Sequence, residues 1–209
     1  MSIRVAKPVK PTAATCYGRT ATTCDSPTSD RKSLTSYHAI VNHNKRNYIH
    51  LSQEEFSFYA AFDNYDEMLR CVAYATNSNG KRHGHQRRLK KAALDQAYHR
   101  LKLYDFESCQ TFEQLLDLVE EAIGHITGIG ELMAYDTANR LGSYLGLQPT
   151  RIHLHAGTRM GAGYLGLGQG VNYIEVTDLP SAFHALSAVQ AEDCLCIYKD
   201  SLKLIRDLS

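Results

Sequence analysis

The residues whose types and spacing could do chemistry gather in three places. The first is Ile126-Thr127-Gly128-Ile129-Gly130. Two glycines around one aliphatic residue let the backbone turn tightly and approach a partner closely. A helical pattern begins directly after Gly130, so unpaired N–H groups would point outwards there. With the helix dipole behind them, such groups attract phosphate oxygens. Ile129 would plug the groove between the helices on either side. The alternative is a corner that only packs. The second place is residues 81–91, KRHGHQRRLKK, which hold Lys81, Arg82, Arg87 and Arg88 among six cations and no acid. That run is expected to contact phosphates without reading sequence; its plainer alternative is a solvated helix start. The third place is Arg151-Ile152-His153-Leu154-His155, with Arg159 beyond. His153 and His155 alternate and would share a face of an extended segment. A neutral imidazole, with a pKa of ~6.5, can take a proton from water. Arg159 could hold a phosphate or cap carbonyls. Asp136, a turn and a half past Gly130, could supply a carboxylate or pair locally. His83 and His85 could be drawn into a metal site with the other two histidines, but no spacing recommends it. No metal and no cofactor are expected. Cys194 and Cys196 read as buried small residues, and Lys199 as a solvated helix lysine, its alternative being a displaced amine nucleophile.

These residues need elements to position them. Phe112, Leu115, Leu116, Val119, Ala122 and Ile123 recur on one helical face. Thr111 with Gln114 fits a capping box, and Gly124 a left-handed stop. Ala134, Ala138, Leu141 and Leu145 carry a second helix that Gly146 ends. Residues 111–147 therefore read as two helices around one short glycine turn. Upstream, residues 37–51 are ambiguous between short strand and irregular lead-in. Ser52 with Glu55 marks a helix start before Phe56, Tyr59 and Phe62, and Asn64 with Glu67 another. The basic run is expected to enter a helix with Leu89, Ala93, Leu94, Ala97 and Leu101 inside. Six glycines in 157–170 predict bent backbone. Asp178 and Pro180 read as the cap and first turn of a helix through Phe183, Leu186 and Val189. A last helix is expected from Glu192 to about Leu204. The fold class is all-α: one helical domain over 36–209 behind a basic Ser/Thr/Pro-rich tail at 1–35, read as flexible.

Composition sets the outer bounds. The chain has 209 residues, 44% hydrophobic and 22% charged, with a formal net charge of +1. It is no polycation, so a nucleic-acid surface must come from uneven charge. Opposite the basic run, residues 107–136 carry Glu107, Glu113, Asp117, Glu120, Glu121, Glu131 and Asp136 without a Lys or Arg. Acids beside a phosphate-binding turn are an objection, although only Glu131 adjoins it. No apolar run reaches the ~18 residues a membrane span needs, and no secretory h-region is seen. Six scattered cysteines without a CxxC pair fit reduced thiols in the cytoplasm.

The two helices and their turn resemble a helix-hairpin-helix. The order of elements over about 55–205 resembles the helix-hairpin-helix superfamily of DNA base-excision glycosylases, as a divergent bacterial branch. The family's LxGhGxxTA matches Ile126-Thr127-Gly128-Ile129-Gly130, with Ala134 and Thr137-Ala138 beyond. The resemblance implies backbone binding to nucleic acid, duplex DNA first, through Thr127, Gly128, Ile129 and Gly130. It also implies a flipped base and a carboxylate beside the sugar as the base leaves. Here His153 stands where that family's catalytic Asp falls, and Leu132 where its lyase members have Lys. If the chain is an enzyme, His153 or Asp136 would act, and Schiff-base lyase chemistry is not expected. An RNA-binding or protein-interaction module that kept only the scaffold is the remaining reading. An acid pointing into a pocket beside the turn would favour an enzyme; a filled pocket with a basic rim would favour a binding module.

Overall fold

The computed structural model describes residues 34–208, and the tail read from the sequence at 1–35 lies almost wholly outside them. Nine α-helices and one two-residue strand pair make up the regular structure among these residues. They are α1 Tyr37–Asn47, α2 Ile49–Ala60, α3 Tyr65–Ala73, α4 Lys91–Leu101, α5 Phe112–Ile123, α6 Glu131–Leu145, α7 Ala156–Tyr164, α8 Ala188–Ile197 and α9 Lys199–Leu208. Strands β1 Ile152–His153 and β2 Tyr173–Ile174 pair antiparallel, with His153 opposite Tyr173. No helix among them is long and apolar enough to cross a membrane.

Two apolar clusters hold the molecule together. The middle of the chain, from Tyr59 to Leu141, builds the first around Met68, Leu94, Phe106, Leu115 and Ala138. The two ends of the described chain build the second: Ile40 and Val41 of α1 meet Ile152, Phe183, Leu195 and Leu202. Helix α2 joins the clusters, packing on α1 at one side and along α6 on the other.

The central pair follows its sequence closely. Leu116, Val119, Ile123, Ala138 and Leu141 are buried, as their helical phase predicts. The Thr111 hydroxyl accepts from the Gln114 N–H at 3.2 Å. The return bond of the box comes one residue early, because Gln114 Oε1 accepts from the Gln110 N–H. Gly124 is not a left-handed stop: its φ is −61°, within the helical range. The positive φ falls later, at Gly128 (+95°), where a side chain would be strained.

Elsewhere local signals were overridden. Residues 37–47 are helical, capped by Ser36, because Ile40, Val41 and Asn44 sit one turn apart on a buried face. Helix α2 starts at Ile49, ahead of Ser52, and Ser52 turns its hydroxyl to Asp193 rather than to a cap. The basic run is not helical before Lys91; it forms a loop with one 3-10 turn at Gly84–Gln86. Asp178 closes a 3-10 turn, accepting from the Glu175 N–H, and Pro180 opens another; the α-helix there begins at Ala188 under a Ser187–Gln190 capping box. The expected last helix breaks at Tyr198 into α8 and α9. Part of the glycine-rich stretch is helical, since Gly161 lets α7 lie directly on the backbone of α8. A Cβ there would strike the Leu195 carbonyl.

Candidate functional site

The turn between α5 and α6 is short and open. Ile126 and Ile129 fold inwards and are buried, with the Ile129 N–H bonded to the Ile126 carbonyl at 2.9 Å. Thr127, Gly128 and Gly130 are exposed. Gly130 caps α6 in extended backbone, and its carbonyl receives the N–H groups of Met133 and Ala134. The N–H groups of Gly130, Glu131 and Leu132 come before that first helical bond and meet no backbone acceptor among the described residues. A Cβ on Gly128 or Gly130 would touch nothing within 4 Å, so both glycines face open space.

Asp136 organises the next turn of α6. His85 Nε2 lies 2.7 Å from its Oδ2, and the Gln86 amide donates to the same oxygen at 2.7 Å. The Arg140 guanidinium stands 3.6 Å away and also donates to Gln86 Oε1 at 2.7 Å. Burial opposes ionisation of Asp136, but the His85 hydrogen bond and the Arg140 charge outweigh it and hold the carboxyl below its ordinary range. Gln86 also reaches the Met133 sulfur. His85 and Gln86 therefore pin the basic loop to the first two turns of α6, beside the glycine turn. Within the loop, Arg87 and Arg88 are exposed and Lys81 projects from a turn that Asn77 caps. Arg82 is half-buried and donates to the Leu89 carbonyl. His83 pairs with Glu55 of α2.

On the side where α5, α6 and the 151–173 segment meet lies a cavity of about 560 Å³. Gly130, Glu131 and Tyr135 of α6, Glu113, Asp117 and Glu120 of α5, and His153, His155 and Tyr173 line it. His153 packs on the Tyr135 and Phe112 rings, 5.4 and 5.7 Å between centroids. Burial lowers its pKa, against the pull of Glu113, so it is a neutral imidazole. His155 is only 4% exposed. Its Nε2 donates to Glu192 Oε1 of α8 at 2.8 Å, and the Thr158 hydroxyl donates to the same oxygen at 2.6 Å. Burial would lower the His155 pKa; the Glu192 hydrogen bond and charge overcome it and raise the pKa above its ordinary value. Next along α8, Asp193 is pushed up to about 8, by burial first and then by Glu192, with one hydroxyl donor from Ser52 at 3.1 Å.

The sequence candidates thus fall into two groups. Thr127, Gly128, Ile129, Gly130, Asp136 and the loop carrying Lys81, Arg82, Arg87 and Arg88 cluster at the start of α6. His153 and Arg159 belong to the cavity wall, which does not include Asp136. Arg159 caps carbonyls: one nitrogen donates to Val171 O at 2.8 Å and another to Leu154 O. Arg151 pairs with Glu175 and stacks over Tyr173. The His155–Glu192–Asp193 group was missed as a unit. Its signal was available, because the phase Ala188, Ala191, Glu192, Leu195 puts a carboxylate on the buried face of α8. No protein-family model, curated protein or solved structure matches the chain.

Proposed function

We propose that the chain binds the sugar–phosphate backbone of nucleic acid, duplex DNA above all, with the Thr127–Gly130 turn and the basic loop as one surface. One observation carries this reading: Asp136 ties His85 and Gln86 to the same end of α6 that leaves N–H groups open. Exposed cations and free donors then meet a phosphate chain together, without reading bases. Substitution tests it. Gly130→Leu introduces a side chain into open space at a negative φ, so the protein should stay folded while backbone approach is blocked. Duplex affinity measured by anisotropy should fall at least about tenfold, or 1.4 kcal/mol. Ile129→Ala should act the other way, costing roughly 1–4 kcal/mol of stability for a buried aliphatic truncation, with affinity kept below the melt. Reversing Arg87 and Arg88 to Glu should flatten the log–log salt slope by about two phosphates' worth. A folded Gly130→Leu protein that binds DNA as the parent does would sink the reading.

A second reading has its own support. The open cavity beside the turn has a volume within the roughly 300–1,000 Å³ of ligand pockets. Its rim is acidic, and its two arginines are held elsewhere, Arg151 by Glu175 and Arg159 by backbone carbonyls, which favours a divergent glycosylase-like enzyme that takes a flipped base there. His153 lies in the wall and is neutral; Asp136 lies outside the wall as an ionised clamp, its Oδ2 holding His85 and Gln86. Base loss scored on a panel of damaged, mismatched and intact duplexes tests this, with His153→Ala expected to abolish it. Borohydride should trap no covalent adduct, because Leu132 offers no amine.

A further inference from the structure

Glu113, Asp117, Glu120 and Glu131 rim one side of the cavity, and among the described residues none of the four has a Lys or Arg within ion-pair distance. Both arginines of the wall are committed elsewhere, Arg159 to two carbonyls and Arg151 to Glu175. The rim therefore presents uncompensated negative charge. The mutual repulsion is felt by Glu120, whose pKa is raised by burial first and then by Asp117 and Glu131.

An independent feature lies deeper in the same wall. His155 is 4% exposed, and its Nδ1 has no hydrogen-bond partner. In the neutral ring the Nε2, 2.8 Å from the Glu192 carboxylate, carries the single proton. Nδ1 is then a lone pair, an acceptor buried without a donor. An unpaired buried acceptor carries a desolvation cost that a donor group would relieve. His153 Nε2, in the same wall, is likewise buried and unpartnered. Leu116, Ala134, Leu154 and Asn172 complete the wall together with aromatic rings: Tyr135 lies 5.2 Å from the His155 ring centroid, and Tyr173 lies across from His153.

Negative rim, buried acceptor and aromatic faces select the same kind of molecule. We propose that this cavity binds a flat aromatic cation bearing N–H donors, its ring against Tyr135 and His153, an N–H to His155 Nδ1, and its charge toward Asp117 and Glu131. Attraction between cation and ring faces adds to the Coulomb term. The cavity shares Gly130 and Glu131 with the turn, but this binding does not depend on backbone contacts there, and its test contains no nucleic acid.

Benzamidine and benzamide make the test, because they share shape and differ in charge. Ring resonances of His153 and His155 would be followed by NMR as each is added to the full chain at low salt, at a pH above the His155 transition where the ring is neutral. Benzamidine should shift them saturably, and benzamide should bind at least about tenfold more weakly. Asp117→Asn with Glu131→Gln, both exposed positions that leave the core alone, should cut benzamidine affinity at least about tenfold and leave benzamide unchanged. Added salt should weaken benzamidine binding alone. Equal affinities for the two probes, saturation that ignores the two acid substitutions, or no saturable shift with benzamidine would each overturn the proposal.

Discussion

Asp136 of α6 and Asp193 of α8 lie close enough for their charges to interact, yet the protein treats them in opposite ways. Asp136 receives His85 and Gln86 on one oxygen and has Arg140 a turn along its own helix. Asp193 stands next to the buried Glu192 and has a single hydroxyl donor from Ser52. Two donors and a guanidinium 3.6 Å away make one carboxylate an ionised clamp. One donor and a neighbouring charge make the other hold its proton. Burial is the largest influence on both groups and pushes both upwards, so burial does not distinguish them; the donors do. The first arrangement fixes a loop to a helix. The second leaves a carboxyl that holds its proton up to about pH 8, on the same helix as the Glu192 that bonds His155 of the cavity wall.

The largest effect should come from breaking the clamp. Asp136→Ala leaves the Arg140 guanidinium, 6% exposed, without its counter-charge, and strands the Gln86 amide. Removing one partner of a buried ion pair costs about 3–5 kcal/mol. Urea unfolding of parent and variant measures it. A loss below about 1 kcal/mol would mean the clamp is as weak as a surface pair.

Next comes a pH effect at the other carboxylate. The folded pKa of Asp193 is raised above the ordinary carboxylate value, so the folded state holds a proton that the unfolded chain has released. That preference is fully present below the unfolded pKa. It drains away as pH rises from the ordinary carboxylate range to about 8. His155, also raised, works in the same direction. Stability of the parent should therefore fall over that interval. Asp193→Asn should remove up to one proton of slope, about 1.4 kcal/mol per pH unit at most. Melts of both proteins from pH 4 to 9 test the sign: parallel curves would show that Asp193 ionises normally.

The contrast explains what the sequence disclosed. Helical phase identified α5 and α6 and their buried residues, because periodicity along one element is local information. Gly128 and Gly130 were legible for the same reason. Asp136 stood out by its place after the turn, but its partners His85 and Gln86 lie fifty residues upstream, and no spacing rule links them. That loop also escaped its expected helix through those long-range bonds, which hold Gly84–Gln86 in a 3-10 turn. Between His153 and His155 the choice rested on a motif offset, whereas burial and the Glu192 hydrogen bond pick out His155. Helix boundaries failed where tertiary contacts recruited a capping residue for another purpose, as when Ser52 bonded to Asp193.

The smallest effect should come from His85, and it sharpens the comparison most. The His85 side chain is 46% exposed, so its bond to Asp136 is screened by solvent. Gln86 and Arg140 remain on the carboxylate when it is lost. His85→Gln should then cost less than about 1 kcal/mol, in contrast to Asp136→Ala. The loop itself, however, loses one of its two anchors to α6. Opening of a segment depends on its own few contacts rather than on global stability. Trypsin should therefore cut after Lys81, Arg87 or Arg88 faster in the variant, with the overall melt almost unmoved. If the loop and the glycine turn form one backbone-binding surface, duplex affinity should drop by roughly threefold, or ~0.7 kcal/mol, as the cations lose their fixed position. Faster cleavage with unchanged affinity would separate the loop from the turn and leave the turn to bind alone. Unchanged cleavage would mean that Gln86 by itself holds the loop, and that His85 is a bystander on the surface of the clamp.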